Sequence, residues 1–261
     1  MRIHTSRNIF FALLCLISHG STFLVPRKPG ISSNSGPLSL TILHTNDIHS
    51  HFDEFNHLGI DCTDDLDCYG SIPRLKTLVD SIRNTTQDFL FLDAGDQFQG
   101  TLFYNFYKGE KITYLMNEVL KYDAMTVGNH EFDDGEELLA DFINTLKFPV
   151  VASNIDLDTA PFLKKTHMKP YHIFPKYGLA VIGSVTNSTG SMATGAREIN
   201  FQEPAKMLQK YVDEINAKGI KKIICLSHNG YPEDQYIAAK YVLLPLSLYS
   251  SPFNEAREES T

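Results

Sequence analysis

Apolar runs of strand length alternate along this chain with longer segments that carry apolar residues at helical spacing. The strand-like runs are Leu38–Leu43, Phe89–Leu92, Asp123–Val127, Pro149–Ser153 and Lys222–Leu226, with a hairpin over 171–185. The segments with helical spacing are 71–83, 110–121, 134–146 and 204–217. Strands that alternate with helices through short connections are typical of α/β proteins. We therefore predict an α/β fold, arranged as one large domain or two small ones.

Four of these strand-like runs are followed by residues of types that commonly bind metal ions. Asp47 and His49 follow the first run, Asp96 the second, Asn129 the third and His228 the last. Residues i and i+2 of an extended segment face the same way, so Asp47 and His49 can point at a common cation. Sites beyond the carboxyl ends of sheet strands draw on residues far apart in sequence. We therefore predict that these five residues form a metal site, with a composition that suits zinc, manganese, iron or cobalt better than calcium.

The stretch Gly128–Asp133 (Gly-Asn-His-Glu-Phe-Asp) connects the third run to a segment with helical spacing. His130 and Asp133 are three residues apart, and a turn can bring the carboxylate to one ring nitrogen. Such a contact fixes the tautomer and raises the basicity of the other nitrogen. The alternative interpretation is an Asn- and Asp-rich helix start with an incidental histidine. Ligand-type residues at four strand ends favour the metal site over that alternative.

The chain is acidic, with a formal net charge of -8. This charge argues against a nucleic-acid backbone as partner, and a phosphate-bearing substrate would need cations to meet it. Bound metal ions would supply those cations. The sequence contains no phosphate-binding Gly-x-x-x-x-Gly-Lys loop, no dinucleotide-binding glycine motif and no Gly-x-Ser-x-Gly nucleophile elbow.

The first 20 residues have the pattern of a cleaved secretory signal, with Arg2 and Arg7 before the apolar stretch Ile9–Ile17. Nine apolar residues are too few to span a bilayer, which argues against the alternative of a membrane anchor. Residues 21–37 are rich in Pro, Gly and Ser and are predicted to be a flexible lead-in. We therefore expect the protein to be secreted.

An oxidising compartment has consequences for several side chains. Cys62 and Cys68 flank an acidic loop, and we expect them to form a disulfide that closes it. Cys225, inside an apolar run, is expected to be a buried thiol. Asn84 and Asn187 begin Asn-x-Thr/Ser sequons and are candidate glycosylation sites.

The ordered motifs resemble those of calcineurin-like metallophosphoesterases. They are Asp47-Ile-His49, Gly95-Asp96-Gln-Phe-Gln-Gly100, Gly128-Asn-His-Glu-Phe-Asp133 and Ser227-His228-Asn-Gly230. Within that family, Leu40–Asp47 and Gly128–Gly135 resemble the 5'-nucleotidases, which include animal ecto-enzymes and secreted apyrases from blood-feeding arthropods. The resemblance covers about residues 38–239, the expected metallophosphoesterase domain.

The resemblance implies a four-layer α/β/β/α sandwich and two divalent ions, zinc first, with manganese, cobalt or magnesium as alternatives. It implies that Asp47 and His49 bind one ion, that Asp96 bridges, and that Asn129 and His228 bind the other. By the same resemblance, His130 and Asp133 form a dyad that stabilises the phosphoryl group. The Cys62–Cys68 pair also resembles a disulfide of the ecto-enzymes. The implied reaction is hydrolysis of phosphate from extracellular AMP, ADP or ATP by a metal-activated water.

The chain departs from the family pattern after residue 239. The family continues into a further strand and a Gly-Gly-His-Ser turn, whereas no histidine follows His228 in this sequence. We interpret residues 240–261 as a divergent tail, too short and proline-broken for a membrane helix and too charged at its end for a lipid-anchor signal. The domain is then expected to be incomplete at its C-terminal end, with an apolar sheet edge exposed. The alternative function is that of a catalytically silent secreted protein that binds nucleotide or metal.

Overall fold

The computed structural model describes residues 39–62 and 67–240, together with the backbone of a strand at 246–249. The expected signal, the lead-in and most of the divergent tail lie outside these residues. The strands are β1 (Thr41–Thr45), β2 (Glu54–Phe55), β3 (Tyr69–Gly70), β4 (Phe89–Asp93), β5 (Ala124–Met125), β6 (Tyr171–Phe174), β7 (Leu179–Val185), β8 (Lys222–His228) and β9 (Leu246–Tyr249). The helices are α1 (Ile72–Thr85), α2 (Leu102–Tyr114), α3 (Glu136–Thr145), α4 (Thr189–Met192), α5 (Pro204–Ala217) and α6 (Tyr231–Lys240).

Two sheets carry the longer strands. The first has the order β1-β4-β5 and is parallel throughout. The second has the order β6-β7-β8-β9, in which β6 runs antiparallel to β7 and the other pairs are parallel. A small β2–β3 hairpin lies apart from both sheets.

The side chains of the central strands show how the two sheets are layered. In β4, Phe91 belongs to the core that contains residues of α1, α2 and α3, whereas Leu92 belongs to a core shared with the second sheet. In β8, Leu226 faces that shared core, whereas Cys225 packs in the core formed with α5 and α6. Because successive strand residues point to opposite faces, each sheet has helices on one side and the other sheet on the other. This arrangement is the four-layer α/β/β/α sandwich.

Most of the predicted elements are confirmed, including α1, α3, α5 and the 171–185 hairpin. The prediction of a helix over 110–121 placed its start too late, since α2 begins at Leu102. The backbone of Lys108, at φ 47° and ψ -146°, kinks α2, and a π-helical turn (Leu115–Leu120) follows it. The run Pro149–Ser153 forms isolated bridges at Val150 and Val151 rather than a full strand.

The expectation that the loss of a family strand after residue 239 leaves an apolar sheet edge exposed was wrong for β8. After α6, β9 lies parallel to β8, and Ile224 is paired with Leu246. Pro245 immediately precedes β9 in the sequence, so its missing N–H removes no hydrogen bond from within that strand. The inner strand β8 is therefore covered on that side.

Several smaller predictions can be placed on the fold. Cys62 and Cys68 are joined by a disulfide, and Cys225 is a buried free thiol. Asn84 and Asn187 are both exposed, and their glycosylation stays a prediction. None of the helices within the described residues is long and apolar enough to cross a membrane.

Candidate metal centre

Four of the five predicted ligands come together around the carboxylate of Asp96. Its Oδ2 atom lies 3.1 Å from Nε2 of His228 and 3.7 Å from Nε2 of His49. The same His49 nitrogen lies 3.7 Å from Oδ1 of Asp47. Ligand atoms of Asp47, Asp96 and His228 all lie within 4.8 Å of one another. The loops after β1 and β4 supply three of these residues and the end of β8 supplies His228, so the cluster joins the two sheets.

Both histidine rings are held by their other nitrogen. Nδ1 of His49 lies 3.1 Å from the carbonyl oxygen of Phe98, and Nδ1 of His228 lies 2.8 Å from that of Ala94. A proton on each Nδ1 would be donated to these carbonyls, which leaves each Nε2 facing the carboxylates, where it carries a proton in the imidazolium form and could bind a cation when deprotonated. Histidine ligands in metal sites are typically oriented by such backbone contacts. The donor set and its orientation therefore fit a divalent cation.

The charges in the cluster favour positive charge at its centre. Burial alone would lower the pKa of His228, but the carboxylates of Asp96 and Asp47 raise it to about 10. Burial would likewise lower the pKa of His49, but the nearby carboxylates of Asp47 and Asp96 raise it to about 9. Burial would raise the pKa of Asp96, yet the contact with His228 keeps it lowered. A metal ion bound here would supply the positive charge that the imidazolium protons otherwise provide.

Asn129, the fifth predicted ligand, is placed next to the cluster by the backbone of its loop. It is 6% exposed and immediately precedes His130, whose backbone N–H donates to Oδ1 of Asp96 at 2.9 Å. Within the part of the chain that the structure describes, its side-chain amide forms no hydrogen bond with the other four candidate ligands. Its place in the cluster therefore rests on this loop geometry.

The contact between His130 and Asp133 is present, as their spacing predicts. Nδ1 of His130 lies 2.7 Å from Oδ2 of Asp133, and a proton on that nitrogen would be donated to the carboxylate. The His130 side chain is 40% exposed, and its ring centroid lies 5.2 Å from that of His49. The dyad therefore lies at the solvent side of the cluster, with Nε2 free of the Asp133 contact.

Glu131 is a buried residue whose role the sequence did not reveal. Its side chain is fully buried, and its two oxygens accept four backbone N–H groups. Oε2 accepts from Asp96 at 2.9 Å and from Gly128 at 2.6 Å, while Oε1 accepts from Gln97 at 2.7 Å and Phe98 at 3.2 Å. Burial raises the pKa of Glu131, and the charge of Asp96 adds to that effect. One carboxylate thus fastens the loop that carries Asp96 to the loop that carries Asn129 and His130.

Asp93, at the end of β4, is a second buried carboxylate that sequence reasoning missed. It accepts hydrogen bonds from the Thr45 hydroxyl at 2.6 Å, the Gln97 amide at 2.7 Å and the Gly95 N–H at 3.0 Å. Burial raises its pKa to about 8. Its contacts tie the end of β1 to the turn that precedes Asp96.

The ligand loops contain an unusual concentration of left-handed backbone. Asp47, His49, Ser50 and Asp96 all have positive φ, between 49° and 56°. Each such residue costs on the order of 1–3 kcal/mol and persists only where the surrounding structure enforces it. The hydrogen bonds collected by Glu131 and Asp93 provide that enforcement around Asp96.

Two glycines allow the ligand loops to approach each other. A Cβ added at Gly128 would lie 2.2 Å from Oδ1 of Asp96, and one added at Gly95 would lie 2.3 Å from the backbone nitrogen of Gly128. Contacts this short are sterically forbidden, so both positions require glycine. This close approach explains why each glycine stands directly before a candidate ligand.

Comparison with known proteins identifies the family. Residues 40–252 match the family model of the calcineurin-like phosphoesterases. The chain belongs to this family. The matched region extends past residue 239 and includes β9.

The similar proteins include several 5'-nucleotidases. The chain is 38% identical over 210 residues to a snake venom 5'-nucleotidase from Naja atra, covering 78% of this chain and 39% of that protein. It is 36% identical over 211 residues to the 5'-nucleotidase of Homo sapiens, covering 79% of this chain and 36% of that protein. The crystal structure of a 5'-nucleotidase precursor from Thermus thermophilus superposes with a TM-score of 0.72 at 36% identity, over 82% of this chain and 41% of that one. The chain therefore spans about two-fifths of the length of these relatives.

Proposed function

We propose that this protein is a metal-dependent phosphohydrolase that releases phosphate from extracellular nucleotides. The observation that carries the proposal is the convergence of Asp47, His49, Asp96 and His228 on one point in a chain of the calcineurin-like phosphoesterase family. The presence of any one of these residues alone is compatible with a purely structural role. Together, with both histidines oriented by backbone carbonyls, they are the ligand set that a divalent cation requires.

We assign the ligands to two ions in the way the family resemblance implies. Asp47 and His49 would hold one ion, Asn129 and His228 the other, and Asp96 would bridge them. When bound, such a pair of ions lowers the pKa of water and neutralises the charge of phosphate oxygens. The chain's own contribution is to hold these ligands in place, which Glu131 and Asp93 do through the hydrogen bonds described above. Zinc is the ion we favour, with manganese, cobalt and magnesium as alternatives.

We assign to His130 the direct contact with the phosphoryl group of the substrate. The Asp133 carboxylate fixes its Nδ1, so that Nε2 can donate a proton toward an oxygen of the substrate. Charge that develops on the phosphoryl oxygens would be offset by this donor at the solvent-exposed edge of the cluster. His130 and Asp133 are therefore the catalytic pair of the proposal.

The preferred nucleotide follows from the relatives rather than from the site. The similarity to 5'-nucleotidases favours a nucleoside 5'-monophosphate, such as AMP, as the substrate. ADP and ATP remain the substrates of an apyrase-type enzyme, which would release phosphate from ADP and not from AMP. Parallel assays with the three nucleotides distinguish the two types.

The proposed setting is extracellular. The signal-like pattern of residues 1–20, the Cys62–Cys68 disulfide and the exposed sequons at Asn84 and Asn187 all favour secretion. We further propose a catalytic domain that begins near residue 38, after the lead-in 21–37, and that continues past residue 239 to include β9. Expression of the full chain in secretory cells, followed by sequencing of the protein in the medium, tests both the signal and its cleavage.

Phosphate release by the purified secreted protein tests the proposal. AMP, ADP and ATP would be assayed with zinc, manganese, magnesium and calcium in turn. The control pair is Asp96→Ala, which removes the central carboxylate, and Asp158→Ala, which removes a carboxylate that is 84% exposed. We expect turnover in the wild type and in Asp158→Ala, and loss of turnover in Asp96→Ala. A folded, metal-loaded wild type without turnover would contradict the proposal.

A further inference from the structure

The residues on either side of His228 are joined in one buried hydrogen-bond network. The Ser227 hydroxyl donates to Oδ1 of Asp234, a residue of α6. The amide of Asn229 donates to the Ser227 hydroxyl oxygen at 2.7 Å and to that of Ser184, in β7, at 2.8 Å. The network therefore links the ends of β7 and β8 to the first turn of α6.

Asp234 is the carboxylate in this network, and it connects the network to helix α6. It is 7% exposed, and its backbone N–H donates to the carbonyl of Gly230 at 3.1 Å. Its carboxylate thus reaches back over the turn that follows His228. The backbone of His228 is held from the other side, because its carbonyl accepts the N–H of Thr186 at 2.9 Å.

The network is not fully satisfied, which argues against a purely stabilising role. Oδ1 of Asn229 and Oδ2 of Asp234 are buried acceptors without a hydrogen-bond donor in the described part of the chain. An unsatisfied buried acceptor destabilises a fold, and a well-packed apolar pair in its place is often at least as stable. Buried polar groups of this kind call for another explanation. Here the carboxylate is hydrogen-bonded to Ser227, the direct neighbour of a candidate metal ligand.

We propose that Asp234 is a positioning residue for His228 and sets the affinity of the metal ion that His228 binds. The ring of His228 is oriented by the Ala94 carbonyl, whereas its backbone is fixed by the Ser227–Asp234 contact and by β7. Loss of the carboxylate would free the end of β8 and move Nε2 relative to Asp96. This inference rests on the proposed function, since it assumes that His228 is a metal ligand.

The test compares Asp234→Asn with Glu233→Gln, because both remove one carboxylate from adjacent positions of α6. Manganese or zinc binding to each purified, metal-stripped protein would be measured by calorimetry, and the melting temperature of each would be recorded. We expect Asp234→Asn to weaken binding of one equivalent of metal by about 10- to 100-fold, the range for residues that orient ligands. Glu233→Gln should bind like the wild type. Ser227→Ala breaks the same hydrogen bond and leaves the Asp234 carboxylate in place. It should weaken binding of the same metal equivalent, and it replaces Asp234→Asn in the test if that variant does not fold.

Three results would count against the inference in different ways. An Asp234→Asn variant that melts at a lower temperature but binds metal as the wild type does would show a structural carboxylate and overturn it. Equal weakening in Glu233→Gln would show a long-range charge effect and overturn the positioning role. A wild type that binds no metal would overturn the proposed function and this inference together.

Discussion

At the scale of single residues, Glu131 explains how two loops from different strands hold a shared geometry. Its carboxylate accepts N–H groups from Asp96, Gln97, Phe98 and Gly128, so four donors that would otherwise be buried without partners are satisfied. Asp96 in turn accepts the N–H of His130. Glu131, in the loop after β5, thus accepts hydrogen bonds from the loop after β4, and Asp96, in the loop after β4, accepts one from the loop after β5.

We predict that Glu131→Gln destabilises the protein although it conserves the shape of the side chain. The new amide nitrogen would face two backbone N–H donors, and leaving buried donors unsatisfied costs about 1–3 kcal/mol each. Urea unfolding should show a loss of about 2 kcal/mol or more. Glu137→Gln, an exposed position of α3, is the matched control and should change stability by less than about 0.5 kcal/mol. Equal unfolding midpoints for both variants would contradict the assigned role.

The candidate ligands could be predicted from the sequence, whereas the residues that support them could not. Asp47, His49, Asp96 and His228 stand at strand ends, and the carboxyl ends of parallel strands lie together. Glu131 shows only as an acidic residue near a helix start. Which N–H groups it collects depends on how two distant loops pack, and local sequence patterns carry no information on that packing.

At the scale of elements, helix α2 shows where apolar spacing fails as a guide. Leu102 and Phe106 are 69% and 78% exposed, so the first turns of this helix lack the pattern of a buried face. The kink at Lys108 then shifts the register between the two halves of the helix. Helices α1 and α5 have a regular buried face, and for that reason their spacing predicted them well.

The kink leads to a prediction of reversed glycine and alanine preference. The conformation of Lys108 is one that side chains with a Cβ rarely adopt, and such strain costs on the order of 1–3 kcal/mol. Glycine relieves this strain at an entropic cost of about 0.5–1 kcal/mol. Lys108→Gly should therefore be more stable than Lys108→Ala by about 1 kcal/mol, measured by thermal or urea unfolding.

The matched control pair is at Lys111, in the regular part of the same helix. There Ala should be more stable than Gly by about 1 kcal/mol, the usual helix preference. Both pairs remove a lysine ammonium, so the comparison within each pair isolates the backbone. The same order of stability at both positions would show that the kink carries no strain.

At the scale of the whole molecule, the cluster joins the two sheets of the sandwich. Asp96 belongs to a loop of the first sheet and His228 to the end of β8 in the second, and their side chains meet at 3.1 Å. An ion held by both would cross-link the two halves in the folded state and lose its site on unfolding. The fold and the metal should therefore stabilise each other.

Metal removal should accordingly lower the melting temperature of the wild type. Saturation at 100 times the dissociation constant contributes about 2.7 kcal/mol, which corresponds to about 5–10 °C for a domain of this size. Differential scanning fluorimetry with zinc and with a chelator measures this shift. Asp96→Ala, which lacks the central ligand, should show a much smaller one. Equal melting temperatures for the wild type under both conditions would contradict the expectation.

The layered arrangement could be predicted only through the family resemblance. Alternation of strands and helices indicates an α/β protein, but it does not show that the strands divide between two sheets. The second sheet also contains β9, which was not predicted because it lies in the segment that the sequence analysis interprets as a divergent tail. Strand pairing there depends on the exposed side of β8, a feature of the assembled sheet rather than of the tail sequence.

The measurement that tests the central claim most directly is anomalous X-ray scattering from crystals of the protein soaked in zinc. The account predicts two peaks that share Asp96, one beside Asp47 and His49 and the other beside Asn129 and His228. Crystals of Asp96→Ala grown and soaked in the same way should lose this pair. No peak near Asp96 in the wild type, or peaks only at surface residues, would contradict the assignment of the cluster as a two-metal centre.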